Sequence, residues 1–251
     1  MKQKLIIGWL YPDLMSTYGD RGNIITLQKR CEWRGIETEV KRLDVGFDNK
    51  QLAICDLLFM GGAQDTQQNI VSHDFSAKKT ALLKELIESG TPGLYICGAY
   101  QFLGKYYKEA NGNKIPGLGI LDLYTENPGG NSPRLIGNTA IKILNTEYLI
   151  HNTILVGFEN HGGRTYIADK NLAFGKVIKG FGNNGKDKTE GIMYKNSIGT
   201  YLHGPILPKN PKLADFLIQK ALEKKYGKSK LKHLDDSLEN KAREIILKRM
   251  G

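Results

Sequence analysis

Cys97 stands in Tyr95-Ile-Cys-Gly-Ala-Tyr-Gln101, where a short apolar run gives way to a helix-like segment. A thiol at such a strand-to-helix turn is pushed out of the backbone, and the helix N-terminus favours its thiolate. Gly98 and Ala99 are small enough for the chain to turn tightly there. The N–H of Gly98 then points toward a substrate carbonyl and forms half of an oxyanion hole. A second donor is expected from Met60-Gly61-Gly62-Ala63, which follows another apolar run and whose glycines let backbone amides approach a ligand. The other cysteines, Cys31 and Cys55, read as buried core thiols. Three scattered cysteines make neither a disulfide framework nor a CxxC metal site, and no metal is expected.

A cysteine nucleophile needs a base that also returns the proton to a leaving amine. His73, His151 and His233 lie in polar surroundings and are expected to be exposed. His161, in Gly157-Phe-Glu-Asn-His-Gly-Gly-Arg164, follows a strand-like run, and so does His203, in Gly199-Thr-Tyr-Leu-His-Gly-Pro205. The end of a strand is a common address for a catalytic group, and residue chemistry alone leaves both histidines open.

These groups need a scaffold that brings strand ends together. Strands are predicted over 4–10, 38–43, 56–60 and 93–96, and helices over 22–34, 76–89 and 98–107, with Gly35 and Gly90 placed as stops. Such alternation implies a parallel α/β sheet. From 117 to 203 the pattern changes to short β-like runs, such as 139–144, 153–158 and 191–194, broken by Asn-Gly, Gly-Gly and Asn-Pro turns. Helices over 211–226 and 234–250 close the chain. The fold class is therefore α/β, a mostly parallel sheet flanked by helices with antiparallel strand additions. No linker divides it, so residues 1–251 are expected to form one domain with a basic helical C-terminal tail from about 227.

Composition excludes several classes. The longest apolar runs are too short to span a bilayer, and Met1-Lys2-Gln3-Lys4 with its brief apolar sequel makes no secretory signal, so a cytoplasmic location is expected. The net charge of +10 is densest over 220–232, without interleaved aromatics or a nucleic-acid motif. A solvated lysine face and no nucleic-acid partner are expected there. Gly180-Phe-Gly-Asn-Asn-Gly-Lys-Asp187 fits GxGxxG, yet no helix opens after it and Asp187 replaces the hydroxyl that a magnesium site requires. It reads as a Gly/Asn-rich surface turn, with no ATP site on this chain.

Taken together, Pro92-Gly-Leu-Tyr-Ile-Cys-Gly-Ala-Tyr-Gln-Phe-Leu103 resembles the nucleophile elbow of class I glutamine amidotransferases. Residues 157–165 and 199–208 resemble the cobyric-acid-synthase-like branch. Tyr18-Gly-Asp-Arg-Gly-Asn-Ile-Ile-Thr-Leu27, Asn160 and Pro208-Lys-Asn210 look closest to the GatD-type subunits of lipid II isoglutaminyl synthase. The resemblance implies that Cys97 and His203 are catalytic and that Arg134, in Asn131-Ser-Pro-Arg-Leu-Ile-Gly137, binds glutamine. A guanidinium fork suits its α-carboxylate. Gly62 and Gly98 would supply the oxyanion donors, and Gln101, His161 and Glu159 complete the candidate site. The resemblance further implies a heterodimer with a Mur-ligase-like subunit (MurT) that holds ATP and magnesium, so no cofactor is expected on this chain. The lipid II reached through that partner would bring the pair to the inner face of the membrane. Corrinoid amidation and a non-catalytic scaffold for a ligase are the other readings. Ala99 and Tyr95 depart from the family's small residues around the cysteine, and Pro205 stands two past His203 where a Glu is common. The orienting carboxylate is therefore expected from the partner, with Glu159 the first on-chain substitute.

Overall fold

The computed structural model describes residues 3–144, 153–227 and 229–251; His151 and Lys228 lie outside them. The first half runs β1 (Lys4–Leu10), α1 (Arg21–Glu32), β2 (Glu37–Leu43), α2 (Asn49–Ala53) and β3 (Leu57–Met60). It continues through α3 (Asp65–Asp74), α4 (Ala77–Glu88), β4 (Gly93–Ile96) and α5 (Gly98–Phe102). Then follow β5 (Tyr106–Lys108), β6 (Lys114–Pro116), β7 (Leu123–Glu126), β8 (Leu135–Ile143), β9 (Ile154–His161) and β10 (Arg164–Ile167). The chain closes with β11 (Gly175–Lys179), β12 (Thr189–Glu190), β13 (Ile192–Tyr194), β14 (Ser197–Thr200), α6 (Pro211–Tyr226) and α7 (Ser237–Met250).

The central sheet has six strands in the order β13-β14-β4-β3-β1-β2, all neighbours parallel except the β13–β14 edge pair. Its middle strands β3 and β4 are buried along their whole length, which is why they read as unbroken apolar runs. Two four-stranded sheets, β10-β7-β5-β6 and β12-β11-β8-β9, supply the added, largely antiparallel strands. Gly35 and Gly90 end their helices with φ of 71° and 82°, a backbone region that glycine enters without steric cost. Among the described residues no helix is long and apolar enough to cross a membrane.

Several expectations are corrected. The helix predicted to 107 stops at Phe102, and Tyr106–Lys108 pairs as β5 instead. Helix α3 was not anticipated, because it buries only Gln68 and Val71 and so lacks an apolar stripe. The 180–187 segment is a turn, but not a surface one throughout: Asn183 and Asn184 are buried, and Asn183 bonds the backbone of Gly191 on both sides. The lysines of α6 are also less free than a solvated face would be. Lys224 donates to Ser89 and Thr91, and Lys225 pairs with Asp56.

The C-terminal segment is fastened to α1. Arg30, 2% exposed, pairs with Asp215 of α6 and with Asp236 just before α7, each at 2.7 Å. Arg34 adds bonds to Asp215 and to the Lys232 carbonyl. A buried guanidinium removed from two carboxylates leaves uncompensated charge. Arg30→Ala is therefore expected to lower unfolding stability by about 3 kcal/mol, read as a fall in the urea midpoint at unchanged slope.

Candidate active site

The parallel strands β1, β3, β4 and β14 all deliver chain to the same edge of the central sheet, the carboxyl end where open α/β folds place their ligands. Cys97 leaves β4 there with φ 51° and ψ −103°. A non-glycine residue at positive φ stores backbone strain, on the order of 1–3 kcal/mol. Its neighbours hold it: its N–H donates to the Thr200 carbonyl at 2.8 Å, and its carbonyl accepts from Gln101 N at 2.9 Å. The thiol is thereby aimed into a cavity of about 290 Å³ lined by Ala63, Asp65, Gln101, Arg134 and His203 among others. Cys31 and Cys55 are buried as expected, and burial pushes both thiols up to about 12. Neither provides a thiolate at neutral pH.

His203 follows β14, is fully buried, and lines the same cavity as Cys97, close enough for the two side chains to act on each other electrostatically. Its strand-end turn is fixed by reciprocal backbone bonds with Phe158 of β9. On the other face of the ring, Nδ1 lies 3.3 Å from Asp20 Oδ1, and Asp20 is fully buried too. Burial works to lower the His203 pKa, but Cys97 and Asp20 together raise it above the ordinary value. The group is thus poised as an imidazolium beside the Cys97 sulfur.

The expectation that this chain lacks an orienting carboxylate is overturned by Asp20. This residue ends the turn before α1, yet its side chain does not cap that helix. Instead Oδ2 accepts from Gly62 N at 2.7 Å while Oδ1 faces the imidazole. Pro205 explains where the carboxylate went: its ring packs where a Gly22 side chain would project, only 2.4 Å from an ideal Cβ. The loop after His203 therefore rests on the start of α1, and α1 brings in Asp20.

Gly62 is corrected as well. Its N–H is committed to Asp20, and its carbonyl accepts from Thr17 N and Oγ1 at 3.1 and 2.6 Å. It must be glycine because a Cβ would lie 2.8 Å from His203 Cε1. Among the described residues, the N–H groups of Ala63 and Gly98 have no protein acceptor. Ala63 N lies 3.0 Å from where a Gly98 Cβ would stand. This pair can serve as the oxyanion donors, with Ala63 in place of Gly62.

The remaining candidates separate. Arg134 lines the cavity, its Nε and Nη2 held by the Asn160 side chain and carbonyl, both at 2.9 Å. Gln101 also lines it, braced by Tyr201 and Gln68. His161 forms part of the wall: its ring stacks on Tyr201 at 3.6 Å, Nδ1 donates to the Gly163 carbonyl, and burial pulls its pKa down. The stacked imidazole, with Glu159 Oε2 3.5 Å from its Nε2, shapes the pocket. Glu159 turns away from the cavity, accepting from Thr139 Oγ1, Phe181 N and Gly182 N, so it is no orienting group for His203. His73 and His233 are exposed, as expected.

A cysteine elbow, a buried histidine and adjoining free amides suit attack on an amide carbonyl. A domain model described as CobB/CobQ-like glutamine amidotransferase matches residues 6–211. The chain belongs to this amidotransferase family. It is 44% identical over 250 residues to "Lipid II isoglutaminyl synthase (glutamine-hydrolyzing) subunit GatD" of Staphylococcus aureus, covering 98% of this chain and 96% of that one. The GatD of Streptococcus pneumoniae is 42% identical over 89% of this chain and 83% of its own. A probable cobyric acid synthase of Methanocaldococcus jannaschii is 31% identical, and this chain spans 41% of its length.

Within this CobB/CobQ-like frame the two departures around the cysteine have local causes. Tyr95 is fully buried and fits because Gly93 has no Cβ, which would stand 2.6 Å from the tyrosine ring. Ala99 is fully buried and needs no more room than its methyl. Asp20 and Ala63 are the functional residues that sequence reading missed. Asp20 lay within the 18–27 stretch that carries the family resemblance, but by itself it reads as an ordinary helix cap.

Proposed function

We propose that this chain is the glutamine-hydrolysing subunit of a lipid II isoglutaminyl synthase. The observation that carries the reading is the Cys97–His203–Asp20 array at the mouth of a pocket that also presents Arg134. The near full-length likeness to GatD supports the choice of acceptor. The Cys97 thiolate attacks the side-chain carbonyl of glutamine, and the oxyanion lies between the amides of Ala63 and Gly98. His203 gives its proton to the departing nitrogen, so ammonia leaves and a γ-glutamyl thioester remains. The neutral imidazole then takes a proton from water, whose oxygen attacks the thioester. Glutamate is released, and the sulfur again faces an imidazolium. Asp20 holds Nδ1 throughout and stabilises that charge.

In this reading the ammonia passes to a Mur-ligase-like partner (MurT) in a heterodimer, which binds ATP and magnesium. That partner activates the D-glutamate α-carboxyl of the lipid II stem peptide at the cytoplasmic face of the membrane. The test is to purify the chain from its native cell with whatever accompanies it. Glutamine hydrolysis with ATP-dependent amidation of lipid II supports the proposal, and hydrolysis without amidation removes the acceptor from it.

Arg134→Ala is expected to remove about 1.5–3 kcal/mol of binding, the size of a charged hydrogen bond. The KM for glutamine should rise with a smaller change in kcat. Steady-state kinetics decide this, and an unchanged KM would leave Arg134 only as a tether for Asn160.

A further inference from the structure

Apart from its histidines, the lining of the cavity over Cys97 carries two formally charged side chains, Arg134 and Asp65. Arg134 keeps one edge of its guanidinium on Asn160, and its Nη1 lies beside Gly162 in the same wall. Asp65 begins α3, whose first amides favour a carboxylate. The Tyr107 hydroxyl stands near it in the same lining. Among the described residues no lysine, arginine or histidine comes within ion-pair distance of Asp65, and Arg134 acts on it only through space. Burial pushes the Asp65 carboxyl above its ordinary value. An anion so placed, partly desolvated and without a contacting counter-charge, is relieved by a bound cation.

We propose that Asp65 binds the α-ammonium of the glutamine whose α-carboxylate rests on Arg134, so the site selects a free amino acid over acylated or peptide-linked glutamine. This rests on the glutaminase reading above. A zwitterion matches the two walls in sign, and anchoring both charges at the α-carbon leaves the side-chain amide as the part that reaches Cys97. A ligand without the ammonium leaves Asp65 half-buried and unmatched, which is the stronger basis for rejection.

The experiment compares glutamine with 4-carbamoylbutanoate, which is glutamine lacking its α-amino group, on the purified native complex. Asp65→Asn should raise the KM for glutamine roughly 10- to 100-fold and leave that for 4-carbamoylbutanoate nearly unchanged, so the preference collapses. Arg134→Ala, by contrast, should weaken both ligands. Calorimetry on a complex carrying Cys97→Ser reads the same ratio without turnover, alone and combined with Asp65→Asn. Absence of glutamine hydrolysis by the wild type would therefore count against the glutaminase reading, while the binding ratio still decides Asp65. An Asp65→Asn protein that keeps the wild-type preference, or that loses both ligands alike, overturns the assignment.

Discussion

Cys97→Ser is expected to abolish ammonia release, by at least ~10³-fold, while the protein folds as before. The side chain changes by one atom in a site that is only 8% exposed, and the hydroxyl can keep the Cys97 contacts with its surroundings. What it cannot supply is an anion at neutral pH, because an alcohol is far less acidic than a thiol. Cys31→Ser and Cys55→Ser provide the contrast. At Cys31 a hydroxyl enters apolar packing at a cost of about 1–3 kcal/mol. At Cys55 it can donate to the Gln51 carbonyl as the thiol does and should cost less. Turnover is retained in both. Thermal melts with a single-turnover thioester assay separate the two kinds of effect. A Cys97→Ser protein that still hydrolyses glutamine near the wild-type rate would assign the nucleophile elsewhere.

Asp20→Asn should rank second. An asparagine can still accept from Gly62 N, so the loop over the site keeps its shape. Its amide would then present N–H toward His203 Nδ1, where the imidazolium needs an acceptor. Loss of the correct tautomer in a nucleophile–histidine–carboxylate array costs on the order of 10³- to 10⁴-fold in kcat, with a smaller effect on KM. The pH profile offers a second check. Asp20 helps to raise the His203 pKa, so the variant imidazole should lose its proton at lower pH. If Asp20→Asn stays within about twofold of wild type, Asp20 is structural and the orienting group comes from a partner.

How much of this was legible in the sequence depended on how local each determinant is. The Cys97 elbow was readable because strand, small residues and helix start fall within one short stretch. Buried parallel strands were readable for the same reason, since burial on both faces writes itself as an apolar run. His203 needed the family resemblance, because His161 also ends a strand and differs only in what it touches in space. Asp20 sat inside the 18–27 motif, but its role was not readable there, because its partner is 183 residues away and residue chemistry alone reads it as a helix cap. Gly62 was read as room for a ligand, whereas the room is filled by His203. Helix α3 escaped because it lies on the surface of the core with little of its own to bury.

The separation of Asp20 from His203 also has a consequence for biosynthesis. At roughly 5–20 residues per second, a ribosome that has made Asp20 needs roughly 10 to 40 s to reach His203, 183 residues later. Cys97 is made before its base, so a chain that ends short of His203 lacks the acid for the departing ammonia. The Arg30 clasp closes later still, since Asp236 follows Arg30 by 206 residues. The Cys97–His203–Asp20 array is thus completed only once His203 has been made and has folded back onto Asp20.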